Sequence, residues 1–138
     1  IPTGEIAPVA GTVMDFTVLT PIGSRFNQLR TNPVGYDHNY VLNKGKPGEM
    51  SFAAQCYEPK SGRLLKVFTT EPGIQLYTAN YLDGRITGKG GRVYHKNSAF
   101  CLECQHFPDS VNRPNFPSVI LNPGAKYIQT TVHKFSSR

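Results

Sequence analysis

The sequence predicts an all-β protein, an antiparallel sandwich or barrel. Thirteen glycines and eleven prolines divide its 138 residues into short segments. The stretches between them are rich in Val, Ile, Phe, Tyr and Thr, which favour extended strands. No stretch carries the apolar repeat at i, i+3, i+4 and i+7 that indicates an amphipathic helix. Short strands at this spacing are typical of antiparallel sheets.

Eight segments have the composition of strands, and turn residues bound each of them. They are residues 13–19, 36–42, 50–58, 64–70, 74–81, 100–107, 119–121 and 127–135. Pro59-Lys60-Ser61-Gly62 and Glu71-Pro72-Gly73 are each predicted to close a hairpin between two apolar runs. Asp83-Gly84 and Asn122-Pro123-Gly124 supply residues that tolerate positive φ or fix φ.

Length and composition fit a single domain over residues 1–138. With 38% hydrophobic and 17% charged residues, the composition argues against a disordered chain. No apolar run approaches the ~18 residues of a membrane helix, so no membrane association is expected. The formal charge is +6, but no run of five basic residues occurs. We therefore expect a solvated basic surface and no nucleic-acid site.

The three cysteines, Cys56, Cys101 and Cys104, cannot all pair within one chain. A reduced, cytoplasmic protein is therefore expected rather than a secreted disulfide scaffold. Cys101 and Cys104 have CxxC spacing, but residues three apart on a strand point to opposite faces. No second pair of Cys or His completes a zinc site. We expect core cysteines, with no metal and no cofactor.

Glu103 is the most informative polar residue, because it lies in the middle of the apolar run 99–107. A buried, ionised carboxylate loses much of its hydration energy unless it is paired or protonated. A structural role would require a cation, and Arg92 or Arg113 could supply it. Otherwise Glu103 is a candidate for chemistry. The sequence leaves both alternatives open.

Other polar residues accompany Glu103. Asp37 begins a predicted strand, where it either caps a turn or binds a ligand, and Gln75 is either a core amide or a ligand contact. His106 more commonly has a packing or surface role at such a position. Glu103 and Gln105 share one face of their strand. A strand face with carboxylates, amides and aromatic rings has the composition of a sugar-binding site.

The same segments resemble the aldose 1-epimerase family, the galactose mutarotases. The resemblance follows the order of the family's motifs over essentially the whole chain. Its main segments are GYDHNY at 35–40, EPGIQLYTAN at 71–80, GKGG at 88–91 and CLECQHFPDSVN at 101–112, followed by 114–117 and 122–135.

This resemblance implies an antiparallel β-sandwich of the galactose mutarotase type and an isomerase that interconverts the α and β anomers of hexoses such as galactose or glucose. It implies that Glu103 is the general base at the anomeric hydroxyl. Asp37 would hydrogen-bond sugar hydroxyls, and Gln75 would line the same pocket. The chemistry requires a base and an acid but no metal.

The resemblance extends only to the C-terminal half of the family, whose N-terminal half carries the general-acid histidine. We therefore expect a mutarotase fragment or subunit that needs an N-terminal complementary chain. Loss of one member of an acid–base pair costs about 10²–10⁴-fold in rate, so the isolated chain is expected to be nearly inactive. The alternative is a non-enzymatic carbohydrate-binding or interaction protein that retains half of the sugar site.

Overall fold

The computed structural model describes residues 1–138 and contains two three-stranded sheets, which confirms the all-β prediction. The strands are β1 (Asp37–Val41), β2 (Ser51–Glu58), β3 (Arg63–Thr69), β4 (Gly73–Tyr77), β5 (Cys101–Gln105) and β6 (Thr131–Ser137). Three 3-10 helices cover Ile22–Gln28, Lys89–Gly91 and Ser110–Asn112. No helix has the length and apolar character that crossing a membrane requires.

One sheet has the order β2-β3-β6, with both pairs antiparallel. Residues 59–62 close the β2–β3 hairpin as predicted, and Glu58 lies opposite Arg63 at its end. The Glu58 carboxylate accepts hydrogen bonds from the backbone N–H groups of Lys60 and Ser61. Gly62 has a φ of +71°, which a residue with a side chain adopts only with strain. Turn chemistry therefore sets the register of this hairpin.

The other sheet has the order β1-β4-β5. The predicted hairpin at residues 71–73 is wrong, because β3 and β4 belong to different sheets and this turn carries the chain from one to the other. The Pro72 carbonyl accepts a hydrogen bond from the Leu42 backbone N–H. A Cβ atom at Gly73 would lie 2.6 Å from Asn39 Oδ1 and 3.0 Å from the Phe107 ring. Glycine is required there because the neighbouring side chains fill the space.

The chain divides into two compact units. The first consists of residues 1–4, 39–75 and 102–138, and the second of residues 5–38 and 76–101. Leu64, Val67, Ile74 and Phe107 are buried in the first unit.

The core of the second unit is built around Tyr36, which is fully buried. The rings of Phe16 and Phe26 pack against it with centroids 5.1 and 5.6 Å away, and its hydroxyl donates to the Val13 carbonyl at 2.9 Å. Thr78 and Asn80 hydrogen-bond to its backbone. The hydroxyl and both backbone polar groups of Tyr36 are thus satisfied.

The strand predicted at residues 13–19 is wrong, because local hydrogen bonds replace a strand ladder there. The backbone N–H of Asp15 donates to the Thr12 carbonyl, and the Asp15 carboxylate accepts from both the N–H and the hydroxyl of Thr17. Such side-chain bonds to nearby backbone compete with sheet formation. The next segment forms the 3-10 helix Ile22–Gln28, which the sequence pattern did not predict.

The strand predicted at residues 119–121 is also absent, since these residues are exposed and pair with no strand. The Ile120 N–H donates to the Ser118 hydroxyl, and Pro117 and Pro123 flank the segment. The strands predicted at 74–81 and 127–135 are displaced or shorter, because β4 ends at Tyr77 and β6 begins at Thr131. The other four predicted strands agree with β1, β2, β3 and β5 within a few residues.

Truncation of Leu64 tests how much a buried side chain of β3 contributes to the free energy of unfolding. Leu64 is 6% exposed, so Leu64→Ala is expected to lower the free energy of unfolding by about 2–5 kcal/mol. Leu121, which is 57% exposed, is the matched control, and Leu121→Ala should change it by less than about 0.5 kcal/mol. Urea unfolding followed by circular dichroism measures both. Equal effects of the two substitutions would contradict this assignment of the core.

Candidate functional site

Gln75 and Glu103 lie on adjacent strands of one sheet. Gln75 is on β4, where it is half-buried between the buried residues Ile74 and Leu76, and Glu103 is the central residue of β5. Both belong to the first unit. The fold therefore places two of the three site residues predicted from the sequence, an amide and a carboxylate, on neighbouring strands, although they are 28 positions apart in the chain.

Glu103 is exposed, which corrects the expectation that its strand buries it. On β5, Cys101 and Glu103 point to the open face, whereas Leu102 and Cys104 are half-buried on the other. Arg113, one of the cations considered as a structural partner, forms its ion pair with Asp109 at 3.0 Å. None of the ion pairs in the structure includes Glu103. The carboxylate is therefore available to accept a proton or a hydrogen bond from a ligand.

Asp37 is the first residue of β1, the strand on the other side of β4, and its side chain is exposed. It belongs to the second unit. Its backbone N–H donates to Nδ1 of His38 at 3.0 Å, and the His38 ring lies 6.3 Å from the Tyr36 ring. Its position at an exposed strand start suits a ligand contact.

A buried carboxylate that the sequence reasoning missed is Glu71, which is 3% exposed. Its Oε1 accepts a hydrogen bond from the Tyr127 hydroxyl at 2.5 Å, and its Oε2 lies 2.7 Å from Nδ1 of His106. Because an ionised carboxylate only accepts, the proton of that second bond lies on Nδ1 of His106. The sequence placed Glu71 in a turn and His106 near a loop, and no local pattern links residues 35 positions apart.

Lys44 adds a half-buried cation to the same unit. Its Nζ donates to the Glu49 and Thr69 carbonyls and to the Ser51 hydroxyl at 2.7–2.8 Å. Burial lowers the pKa of the Lys44 ammonium, and the nearby Glu49 and Glu71 carboxylates oppose part of that shift. All three of its N–H donors are used within the protein, so Lys44 is a structural cation rather than a ligand contact.

Comparisons with known proteins agree with this architecture. The family model for aldose 1-epimerase matches residues 1–134. The galactose mutarotases of Homo sapiens and Sus scrofa are each 49% identical over 136 residues, which is 99% of this chain and 39% of theirs. The aldose 1-epimerase of Escherichia coli (strain K12) is 33% identical over 98% of this chain and 40% of its own length.

A solved structure has the same fold. The GalM/aldose epimerase homologue from C. elegans superimposes with a TM-score of 0.86 at 32% identity, over 99% of this chain and 40% of that one. The mutarotase type of fold implied by the resemblance is thereby confirmed. This chain spans only 39% of the length of the mammalian relatives named above.

The Tyr127 hydroxyl should ionise only at unusually high pH. Its hydrogen bond to Glu71, with smaller contributions from burial and the Glu71 charge, raises its pKa from 10.0 to about 12. The unfolded chain releases this proton first, so the associated stability is lost as the pH rises from about 10 to 12. Ultraviolet titration of Tyr127→Phe should lack the latest tyrosine transition, whereas Tyr57→Phe should retain it. An unchanged titration in Tyr127→Phe would contradict the bond.

His38 is expected to remain neutral to lower pH than an ordinary histidine. Burial lowers its pKa from 6.5, and the Asp37 carboxylate opposes part of the shift. As the pH falls through about 6.5, the unfolded chain protonates first, so the free energy of unfolding should decrease. NMR titration of the His38 ring measures its pKa. A value at or above the ordinary 6.5 would contradict the assignment.

Proposed function

The chain belongs to the aldose 1-epimerase family, and we propose that it forms part of an enzyme that interconverts the α and β anomers of a hexose. The observation that carries this proposal is the exposed, unpaired carboxylate of Glu103 on β5, next to the strand that bears Gln75. A carboxylate in this state can take a proton from a sugar hydroxyl, and a neighbouring amide can both donate to and accept from the hydroxyls beside it.

In the proposed reaction, Glu103 removes the proton from the anomeric hydroxyl. The electron pair left on that oxygen forms the carbonyl, the bond from C1 to the ring oxygen breaks, and a general acid protonates the ring oxygen. Rotation about the C1–C2 bond presents the other carbonyl face. The ring oxygen then attacks this face, returns its proton to the acid's conjugate base, and the new hydroxyl takes its proton from Glu103.

We assign the general acid to sequence outside these 138 residues, in an N-terminal complement on the same polypeptide or on a separate chain. Residues 1–138 would then be the C-terminal part of one larger sandwich domain. Two observations support this. The mammalian relatives are covered over only 39% of their length, and β6, an edge strand of its sheet, leaves Phe135 76% exposed. An exposed apolar edge is usually covered in a folded protein.

We assign recognition of the sugar hydroxyls to Asp37 and Gln75. The proposed hexose is galactose or glucose. Galactose mutarotases among the relatives support the substrate class. No step in this chemistry requires a metal or cofactor. A cytoplasmic location is proposed with it, since all three cysteines are free thiols, as in proteins of reducing compartments.

Replacement of Glu103 tests the proposal directly. The chain is built into human galactose mutarotase in place of the matched 136-residue segment, and mutarotation of α-D-galactose and α-D-glucose is followed by polarimetry. Glu103→Gln should lower kcat by about 10²–10⁴-fold, because the amide cannot take the proton. Glu58→Gln, the same substitution at an exposed strand end, should leave kcat within about twofold.

Full activity of the Glu103→Gln chimera would refute the role of Glu103. A folded chimera that binds galactose in a calorimetric titration but does not accelerate mutarotation would instead favour the alternative, a carbohydrate-binding protein. A folded chimera that neither binds nor turns over galactose would refute both.

A further inference from the structure

Glu71 and His106, which we call the anchor, join one end of β4 to one end of β5, the two strands that carry the proposed site. Glu71 lies four residues before Gln75, in the turn that leads into β4, and His106 lies three residues after Glu103, just past the end of β5. The Glu71 carboxylate joins His106 at 2.7 Å. A single hydrogen bond thus connects the start of the strand bearing the amide to the end of the strand bearing the carboxylate.

The second oxygen of Glu71 extends this anchor to a third segment. It accepts the Tyr127 hydroxyl at 2.5 Å, and Tyr127 precedes β6 by four residues. Glu71 is 3% exposed, whereas the side chain of His106 is 28% exposed. A buried carboxylate is costly to desolvate and is retained where its hydrogen bonds are satisfied. Both oxygens of Glu71 are satisfied by side chains from distant parts of the sequence.

The residues that follow Glu71 and His106 in the chain, Gly73 and Phe107, are closely packed against each other. Gly73, two residues after Glu71, leaves only 3.0 Å between an ideal Cβ position and the ring of Phe107, which follows His106. The Phe107 ring is buried and makes an edge contact with Phe116, with centroids 5.2 Å apart. The beginning of β4 and the end of β5 are therefore held by packing as well as by the Glu71 bond.

We propose that Glu71 is a positioning residue: its carboxylate holds His106 and Tyr127 against the β3–β4 turn and so fixes where β5 presents Glu103 relative to Gln75. The role rests on the proposed function, since it concerns the placement of that site's base. Glu71 itself does not reach the substrate in this role. It acts through the strand ends, and its loss displaces the base without removing it.

Glu71→Gln is the informative variant, because glutamine keeps the shape but has one acceptor oxygen and an NH₂ donor. It cannot accept from both His106 and Tyr127. In ¹H–¹⁵N spectra of the 138-residue chain, the amide signals of residues 102–105 should move in Glu71→Gln and stay in place in Tyr57→Phe. In the chimera, kcat should fall by about 10- to 100-fold, as expected for a displaced base, while KM changes less than about threefold.

Tyr127→Phe keeps the His106 bond and removes one hydroxyl, so it provides a second variant if Glu71→Gln does not fold. Its kcat should fall by about 3- to 10-fold, again with little change in KM. Circular dichroism at the assay temperature verifies that each variant is folded. A parallel rise in KM would indicate general distortion of the site and would overturn the positioning role.

The outcomes separate this inference from the proposed function. If the wild-type chimera is active and kcat of Glu71→Gln equals that of the wild type, the positioning role is overturned and the function stands. If the wild-type chimera is inactive, the proposed function fails, and the spectra decide the inference. Movement of the residue 102–105 signals then supports the anchoring of β5 by Glu71, and unchanged signals overturn it.

Discussion

Much of the first unit depends on the hydrogen bonds that the buried carboxylate of Glu71 accepts. Taking an ionised carboxylate out of water costs several kcal/mol, and hydrogen bonds that involve a charged group return about 1.5–3 kcal/mol each. Glu71 has two such bonds, to His106 and Tyr127. Removing either partner would leave a buried charge incompletely solvated. The penalty for breaking the arrangement is therefore larger than the net gain from forming it, which favours one conformation of these segments.

Hydrogen bonds and close packing both stabilise the segments around the Glu71 carboxylate. Lys44 contributes a half-buried positive charge whose donors are all used. Gly73 permits the close approach of Phe107 and Asn39. The candidate site has the opposite character, since Glu103 faces solvent on β5. Close packing and hydrogen-bonded charges beside an exposed functional group favour a site that is pre-organised for its ligand.

Much of the architecture could be predicted from local sequence patterns. The β2–β3 hairpin was predictable because Pro59 to Gly62 is strong turn chemistry between two strand-forming runs. The segment 13–19 misled because its β-branched residues resemble a strand, while Asp15 and Thr17 bond to one another instead. The turn at 71–73 was recognised, but whether it joins strands of one sheet or of two depends on pairing with distant segments, which turn residues do not encode.

The candidate site could be predicted only in part, because its geometry also depends on how distant segments pair. Gln75 and Glu103 stood out because each is polar within an apolar run, and the fold places them on neighbouring strands. The exposure of Glu103 could not be predicted, since alternation along a strand says that two faces exist but not which one is covered. Glu71 gave no signal at all. Its importance arises from His106 and Tyr127, 35 and 56 positions away, and only the folded chain brings them together.

The outer edge of β6 has a consequence for how this chain behaves in a cell. The strand is seven residues long, contains no proline, and every residue after Thr131 is exposed. Such an edge offers backbone donors and acceptors to any extended segment that meets it, including the same strand of another copy. Lys134 places charge there, which discourages self-pairing, but Val132 and Phe135 promote it. Molecules that present this edge uncovered would form aggregates as their concentration rises, so its covering bears on how much protein a cell can hold in solution.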